Sequence, residues 1–313
     1  MSSCAGIDVG GTKILGVALD ALGVPIGEPV RVPTPAGDEA LFDAMVSVVE
    51  ALGGGFDAVG VGVAGLVDRT GRLAVGPNLP GMVDVPIAME LERRLGVPVT
   101  VDNDATCATW AEVRLGAARG ADDAVLVTLG TGIGGGIVAG GVLQRGANGF
   151  AGEPGHMVVD PNGPPCPCGR RGCWERFASG SGLGRLARDA AAAGRGARLI
   201  ELAGGDPESV KGEHVTTAAN EGDPDAIDVL RNFGWWAALG IANLVSILDP
   251  EVVVVGGGLV EAGEVLMRPI RESYRELVLA GEHRPAVRIL PAQLRADAGA
   301  IGAALLAHDR TTS

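Results

Sequence analysis

The sequence predicts an α/β protein of two domains. Three observations carry that class. At 313 residues the chain suits two ordinary domains. Apolar runs rich in Ala, Val, Leu and Ile alternate with segments of helical spacing. The 51 glycines, well above the usual ~7%, have no period and cluster at the ends of apolar runs, as tight turns that approach a ligand do.

Composition narrows the function classes. The apolar fraction is 47% and aromatics only 3%, so the cores are aliphatic. The net charge is −13 and the pI near 4.8, with no Lys/Arg-rich patch; a nucleic-acid groove is not expected. The opening residues, MSSCAGIDVGGTK, have neither a basic nor a long apolar region, so no signal peptide is expected. The longest apolar tracts are broken by charge, Pro or Gly well short of a membrane span. Of five cysteines, an odd number, three crowd into residues 166–173, which does not fit a disulfide framework. A soluble cytoplasmic protein is the expectation.

Residues 4–20 (CAGIDVGGTKILGVALD) read as strand, glycine turn, strand. The bend at Gly10-Gly11, with Thr12 and Lys13 beside it, offers backbone N–H groups to a phosphate. Asp8 would project where a hydrated Mg²⁺ can sit. A plain hairpin is the other reading of the same residues. Residues 41–52 have helical spacing, and AVGVGVAG (58–65) is a buried strand ending in Gly62 and Gly65. Strand ends of this kind are where α/β proteins bind ligands. Asn78 follows Pro77 in a loop, as a sugar partner or as an Asx turn. A helix over 87–95 leads through Gly96 to the strand PVTVDNDA.

Asp102-Asn103-Asp104 ends that strand and opens a helix, ATCATWAEVRLGA. Asp and Asn are preferred N-caps, but a cap needs one such residue and three stand here in a row. An acid at a strand end suits a general base, which points to Asp104, with Asn103 beside it; Asp102 stays open. Residues 123–138 (DAVLVTLGTGIGGGIV) repeat the plan of 4–20, with Gly130-Thr131-Gly132 in the place of Gly10-Gly11-Thr12. The run is followed by a strand, which argues against a dinucleotide-binding fingerprint. The pairing of two such hairpins suggests an internal duplication in which both serve one phosphate chain.

Further on, 182–193 is helical and Ala-rich, and 194–224 is Gly-rich and polar, with Asp223-Pro224 as a helix start. A long apolar helix spans 225–248. In EVVVVGGGLV (251–260) the four-valine strand is fully apolar, hence buried on both faces. Its Gly257 and Gly258 would let a flat base or ribose lie against the backbone. A helix (263–277), a short strand (287–290) and a last helix (297–307) complete the chain.

The densest chemistry lies between Glu153 and Glu175: EPGHMVVDPNGPPCPCGRRGCWE. His156, Cys166, Cys168 and Cys173 form a Cys₃His set, the four-ligand closed pattern of structural zinc. An iron–sulfur cluster would call for a fourth cysteine. Glu153 and Glu175 flank the set, so both carboxylates would be tethered to one ion and held against sugar hydroxyls, with His156 offering its other nitrogen.

Together, DVGGTK (8–13), Asp102-Asn103-Asp104, LGTG (129–132), EPGH (153–156) and CPCGRRGCWE (166–175) identify the chain as resembling the ROK family of repressors and sugar kinases. It is most similar to the family's bacterial glucokinase branch, over nearly the whole length. The resemblance implies an actin-like ATPase (ribonuclease H-like) fold of two α/β lobes with nucleotide and sugar in the cleft. The small lobe would be roughly 1–104 plus 298–313, and the large lobe 105–297. It implies phosphorylation of the glucose 6-hydroxyl by ATP, with Asp104 as base. Asn103, Glu153, His156, Glu175 and, more weakly, Gly65 and Asn78 would bind the sugar. Asp8, Gly10, Gly11, Thr12 and Lys13 would serve Mg²⁺ and phosphates, Gly130, Thr131 and Gly132 the phosphates, and Gly257 and Gly258 the adenosine. Family members are often dimers or tetramers, so a homodimer or homotetramer is expected. Pro154 replaces the family's usual Ile, Leu or Phe, removing an N–H beside Glu153. Thr106 replaces a frequent Asn behind Asp104. Three alternatives stay open: another hexose (N-acetylmannosamine, N-acetylglucosamine, mannose or fructose), polyphosphate as donor, and a non-catalytic ROK sugar sensor. The last would need a DNA-binding segment, for which the phosphate motif at residue 8 leaves no room ahead of it, in a chain that is acidic and keeps Asp104.

Overall fold

The computed structural model describes residues 3–79 and 81–312. In chain order the elements are β1 (Cys4–Val9), β2 (Lys13–Leu19), β3 (Pro25–Pro33), α1 (Asp38–Ala51), β4 (Ala58–Val63), β5 (Leu66–Val67), β6 (Leu73–Val75), β7 (Val83–Val85), α2 (Ile87–Leu95), β8 (Val99–Asn103) and α3 (Asp104–Arg114). There follow β9 (Ala124–Leu129), β10 (Ile133–Ala139), β11 (Val142–Leu143), α4 (Glu175–Ala178), α5 (Gly180–Ala192), α6 (Ala197–Leu202), α7 (Gly212–Asn220) and α8 (Pro224–Leu248). The last are β12 (Val252–Gly256), α9 (Glu264–Leu277), β13 (Arg288–Pro291) and α10 (Ala298–Thr312).

The chain divides into two compact units. The first holds the residues up to Leu126, Gly136–Gly152, and those from Gln293 on; the second holds Val127–Gly135 and Glu153–Ala292. The sequence division set residues from 105 on in the other lobe, whereas contacts keep α3 with the first unit. The reason is close packing of α3 on α10: a Cβ on Gly302 would fall 1.7 Å from the Cys107 carbonyl oxygen.

The first unit's sheet runs β3-β2-β1-β4-β8, with β1–β2 and β2–β3 antiparallel and β1–β4 and β4–β8 parallel. Its register aligns Asp8 with Gly62 and Gly62 with Asp102, so the acid ends of β1 and β8 share one row. Ile7, Val9, Phe42, Met45, Val48, Val61 and Leu91 belong to the buried core that this sheet forms with α1 and α2. On α10 the approach is closer still: Cβ atoms on Gly6 and Gly60 would stand 2.0 and 1.8 Å from the Ala300 and Ala303 carbonyl oxygens. Only glycine fits there. The second sheet runs β11-β10-β9-β12-β13, with β10–β11 antiparallel and β12–β13 parallel. Each sheet therefore has its third, second, first, fourth and fifth strands in that order.

In the second unit α8 is the central helix. The Asp223 carboxylate accepts the Ala226 N–H at 2.8 Å as its N-cap, and Pro224 occupies the first turn. Phe233, Ala237, Ile241 and Val245, four residues apart, are buried. Residues 194–224 contain α6 and α7, which the glycine-rich reading did not expect. Both are short helices whose buried side chains, Leu199 in α6 and Val215, Ala218 and Ala219 in α7, are too few to impose a visible period. Equally unexpected are β3, an exposed edge strand with three prolines, and the small sheet β5-β6-β7, whose strands are two or three residues long. No helix among the described residues is long and apolar enough to cross a membrane.

Candidate active site

In the first unit the polar triplet closes β8 and opens α3. Asn103 is the N-cap: its side-chain oxygen accepts the N–H groups of Ala105 and Thr106 at 2.9 and 3.0 Å. Its amide nitrogen donates to the Gly65 carbonyl at 3.0 Å. Asp104 is half-buried and accepts the Ala105 N–H at 2.8 Å. Burial raises its carboxyl above the ordinary range, against the hydrogen bonds it accepts from the backbone and Asn103. Asp8 is pushed up to about 7, by burial first and then by the charge of Asp104, with Lys13 opposing. Its carboxylate lies against Gly299 near the start of α10, where a Cβ would come within 2.8 Å of it. A helix N-terminus there favours the anionic form.

Between Val9 and Lys13 the β1–β2 turn is three residues long, as is the β9–β10 turn between Leu129 and Ile133. Gly10 donates its N–H to the Lys13 carbonyl and Gly130 to the Gly132 carbonyl, each at 3.0 Å. Those two donors are spent inside the turns. Gly11, Thr12 and Lys13 are exposed, as is Thr131. Thr34 buttresses the first turn by donating its hydroxyl to the Gly10 carbonyl at 2.6 Å. Gly180 and Ser181, at the start of α5, donate to the carbonyls of Gly130 and Thr131. Asn78 is exposed, and its backbone packs on the first turn: a Cβ on Gly11 would meet the Asn78 carbonyl at 2.7 Å. Gly65 has φ of +147° and a Cβ there would strike the Val75 carbonyl at 2.3 Å, so the fold itself demands glycine.

In the second unit the strand β12 delivers its glycines to the end of β9. A Cβ on Gly257 would stand 2.4 Å from the Leu129 carbonyl, whereas the space around Gly258 is open. The Glu153–Glu175 stretch folds as one loop. Pro154 is buried and opens a 3₁₀ turn (Pro154–His156), a position where the missing N–H breaks no helical bond. The structure brings His156, Cys166, Cys168 and Cys173 together, with one donor atom of each within 4.8 Å of the others. Zn–S bonds of about 2.3 Å in a tetrahedron put ligand atoms roughly 3.8 Å apart. Two edges already match: 3.6 Å between the Cys168 and Cys173 sulfurs, and 3.9 Å from Cys166 Sγ to His156 Nδ1. Burial raises the Cys168 thiol, but hydrogen bonds from the Arg170 backbone and side chain and from its neighbouring thiols hold it down to about 6, toward the metal-binding thiolate. The donor set fits zinc.

Glu175 joins this quartet to the second glycine turn. One carboxylate oxygen accepts the Cys166 thiol at 3.0 Å and lies 3.8 Å from His156 Nδ1. The other lies 2.7 Å from where a Gly132 Cβ would be. Trp174 anchors the loop. It is fully buried, its indole N–H donates to the Trp236 carbonyl at 2.7 Å, and its ring fills the space left by Gly240 of α8. Sequence reading passed over Trp174, Gly240, Gly299 and Thr34. Only an unexpected glycine within the long apolar helix hinted at Gly240.

A family model described as the ROK family matches residues 4–310. The glucokinase of Streptomyces coelicolor is 41% identical over 99% of this chain and 98% of its own. The N-acetylmannosamine kinase of Escherichia coli is 39% identical over 96% of this chain and 97% of its own. The crystal structure of a ROK family glucokinase from Streptomyces griseus, in complex with glucose and AMPPNP, superposes with a TM-score of 0.87. It is 42% identical and covers 98% of this chain and 99% of its own. The expected actin-like ATPase fold is the one this chain shares with that structure.

Proposed function

This chain belongs to the ROK family, and we propose that it is a glucokinase that transfers the γ-phosphoryl group of ATP to the 6-hydroxyl of glucose. The observation that carries the reading is Asp104: a half-buried carboxylate with a raised pKa at the strand-to-helix junction, two residues past Asp102, which shares a row of the sheet with Asp8. A carboxylate so raised accepts a hydroxyl proton more readily than an ordinary one. In the reaction Asp104 takes the proton as the sugar oxygen bonds to phosphorus, and ADP leaves with the electrons of the broken phosphoanhydride bond. Phosphoryl transfer of this kind depends on position and charge rather than on covalent help.

Asn103, Glu153, His156 and Glu175 hold sugar hydroxyls. The turns at Gly11–Lys13 and Thr131–Gly132 cradle phosphates, and Gly257 with the open Gly258 takes the adenosine. Asp8 would hold Mg²⁺, which neutralises phosphate charge when bound. Zinc held by His156, Cys166, Cys168 and Cys173 supplies no open position for chemistry and fixes the loop. Gly65 and Asn78 act on the sugar through Asn103 and the first turn, against which they pack. A homodimer or homotetramer working in the cytoplasm, without nucleic acid, completes the proposal.

A second reading, another hexose on the same machinery, is favoured by the identity to the N-acetylmannosamine kinase. An ADP-release assay across a hexose panel, with ATP and polyphosphate as donors, decides. Glucose with ATP should give the highest kcat/KM. Preference for N-acetylmannosamine would establish the second reading, and turnover of no hexose would leave a sugar sensor.

A further inference from the structure

We infer that Arg145 is a positioning residue for the catalytic base, acting through Asp102. The inference rests on the assignment of Asp104 as that base. Asp102 is only 5% exposed, at the end of β8. One of its oxygens accepts the Asn103 N–H at 2.9 Å, and the other accepts Arg145 Nε at 2.5 Å. The carboxylate therefore grips the peptide directly ahead of Asn103 and Asp104. Asn103 in turn caps α3 and holds Gly65. The triplet is thus held by linked bonds: Asp102 holds the Asn103 N–H, Asn103 and Asp104 share the Ala105 N–H, and the chain ends on Arg145.

Arg145 is suited to that task because its own backbone is fixed. Arg69 donates both Nε, at 2.9 Å, and a terminal nitrogen to the carbonyl of Gly146. Ala151 donates to the Arg145 carbonyl at 3.2 Å. Gly149 lies so close to Val67 that a Cβ would come 2.5 Å from its carbonyl. Without the guanidinium, Asp102 would be a buried carboxylate with no counter-charge, a state that proteins relieve by moving or neutralising the group. Either response releases the peptide before Asp104. A misplacement of about 1 Å at a reacting group costs roughly 100-fold in rate.

The test compares Arg145→Ala, Arg145→Lys, Asp102→Asn and Asp104→Asn in the full chain, by kcat, KM for glucose and thermal midpoint. Arg145→Ala should lower kcat roughly 10- to 100-fold with KM within about 3-fold of the parent value. Arg145→Lys should recover most of that loss, since an ammonium still donates to Asp102. Asp102→Asn should resemble Arg145→Ala, and the double variant should fall no further. Unchanged kcat in Arg145→Ala, or a loss that tracks the midpoint and is not recovered by lysine, overturns the inference. Should the alanine variant not fold, Arg145→Gln, which keeps a donor without the charge, reads the same loss. Failure of the base assignment is separate: it shows as an active Asp104→Asn, whatever Arg145 does.

Discussion

The proposed function gives Asp104 and Asp8 different tasks, and their titration separates them. Asp104→Ala should lower kcat by about 10²- to 10⁴-fold, the usual span for a general base, while calorimetry still detects glucose binding. The base works deprotonated, and burial raises its pKa. The acid limb of the kcat–pH profile should therefore lie above the ordinary carboxylate value of 3.8. Asp8 acts on stability. Its carboxyl titrates at about 7 in the fold and near 3.8 in the unfolded chain, so the fold favours its protonated form. That contribution is complete below 3.8 and is lost as pH rises through about 7. Melting of the metal- and nucleotide-free protein should show a decline across this window, and Asp8→Asn should flatten it. Both acids were legible in the sequence because each sits at the end of an apolar strand beside a turn or cap signal. Arg145 was not, because its partner lies 43 residues away and nothing local distinguishes it from a surface arginine.

The Cys₃His loop and its seat on α8 behave as one element. Cys166 donates its thiol proton to Glu175 in the structure. A metal-bound thiolate has no proton to give, so with zinc held by the quartet Cys166 would no longer donate, and the Glu175 carboxylate would be left to other partners. Chelation, or Cys168→Ser, should return Glu175 to Cys166 and weaken glucose binding; one zinc per chain by elemental analysis, and a KM for glucose that rises on its removal, is the expected result. The seat is just as specific. A Cβ at Gly240 would come 2.0 Å from the Trp174 ring, so Gly240→Ala should destabilise by about 1–3 kcal/mol or more, read as a lowered thermal midpoint. It should also raise KM for glucose, since Trp174 adjoins Cys173 and Glu175. The Cys₃His cluster could be read from its residue types and their closeness in sequence. Its seat could not: glycine in a helix is ambiguous until the ring that fills its place is known. The same limit hid α6, α7 and the β5-β6-β7 sheet, whose order comes from packing rather than from local pattern.

Across the whole molecule, the two sheets repeat one strand order, and the matching three-residue glycine turns sit at the same point of each. The turns announced this kinship in the sequence; the order of strands did not, because the crossovers between β4 and β8 and between β12 and β13 differ in length and content. The proposed assembly predicts a native mass in solution of two or four times 31.5 kDa by light scattering. The glycine seam beneath α10 bears on how the protein is made. Gly6 and Gly60 are emptied of side chain for a helix that leaves the ribosome long after the strands it covers. Residues 153–292 can close their core while synthesis continues, whereas β1 and β4 must wait, with one face uncovered, until α10 emerges. For that interval the first unit is the nascent chain's exposed surface, and chaperone capture or aggregation during synthesis should fall on its strands first.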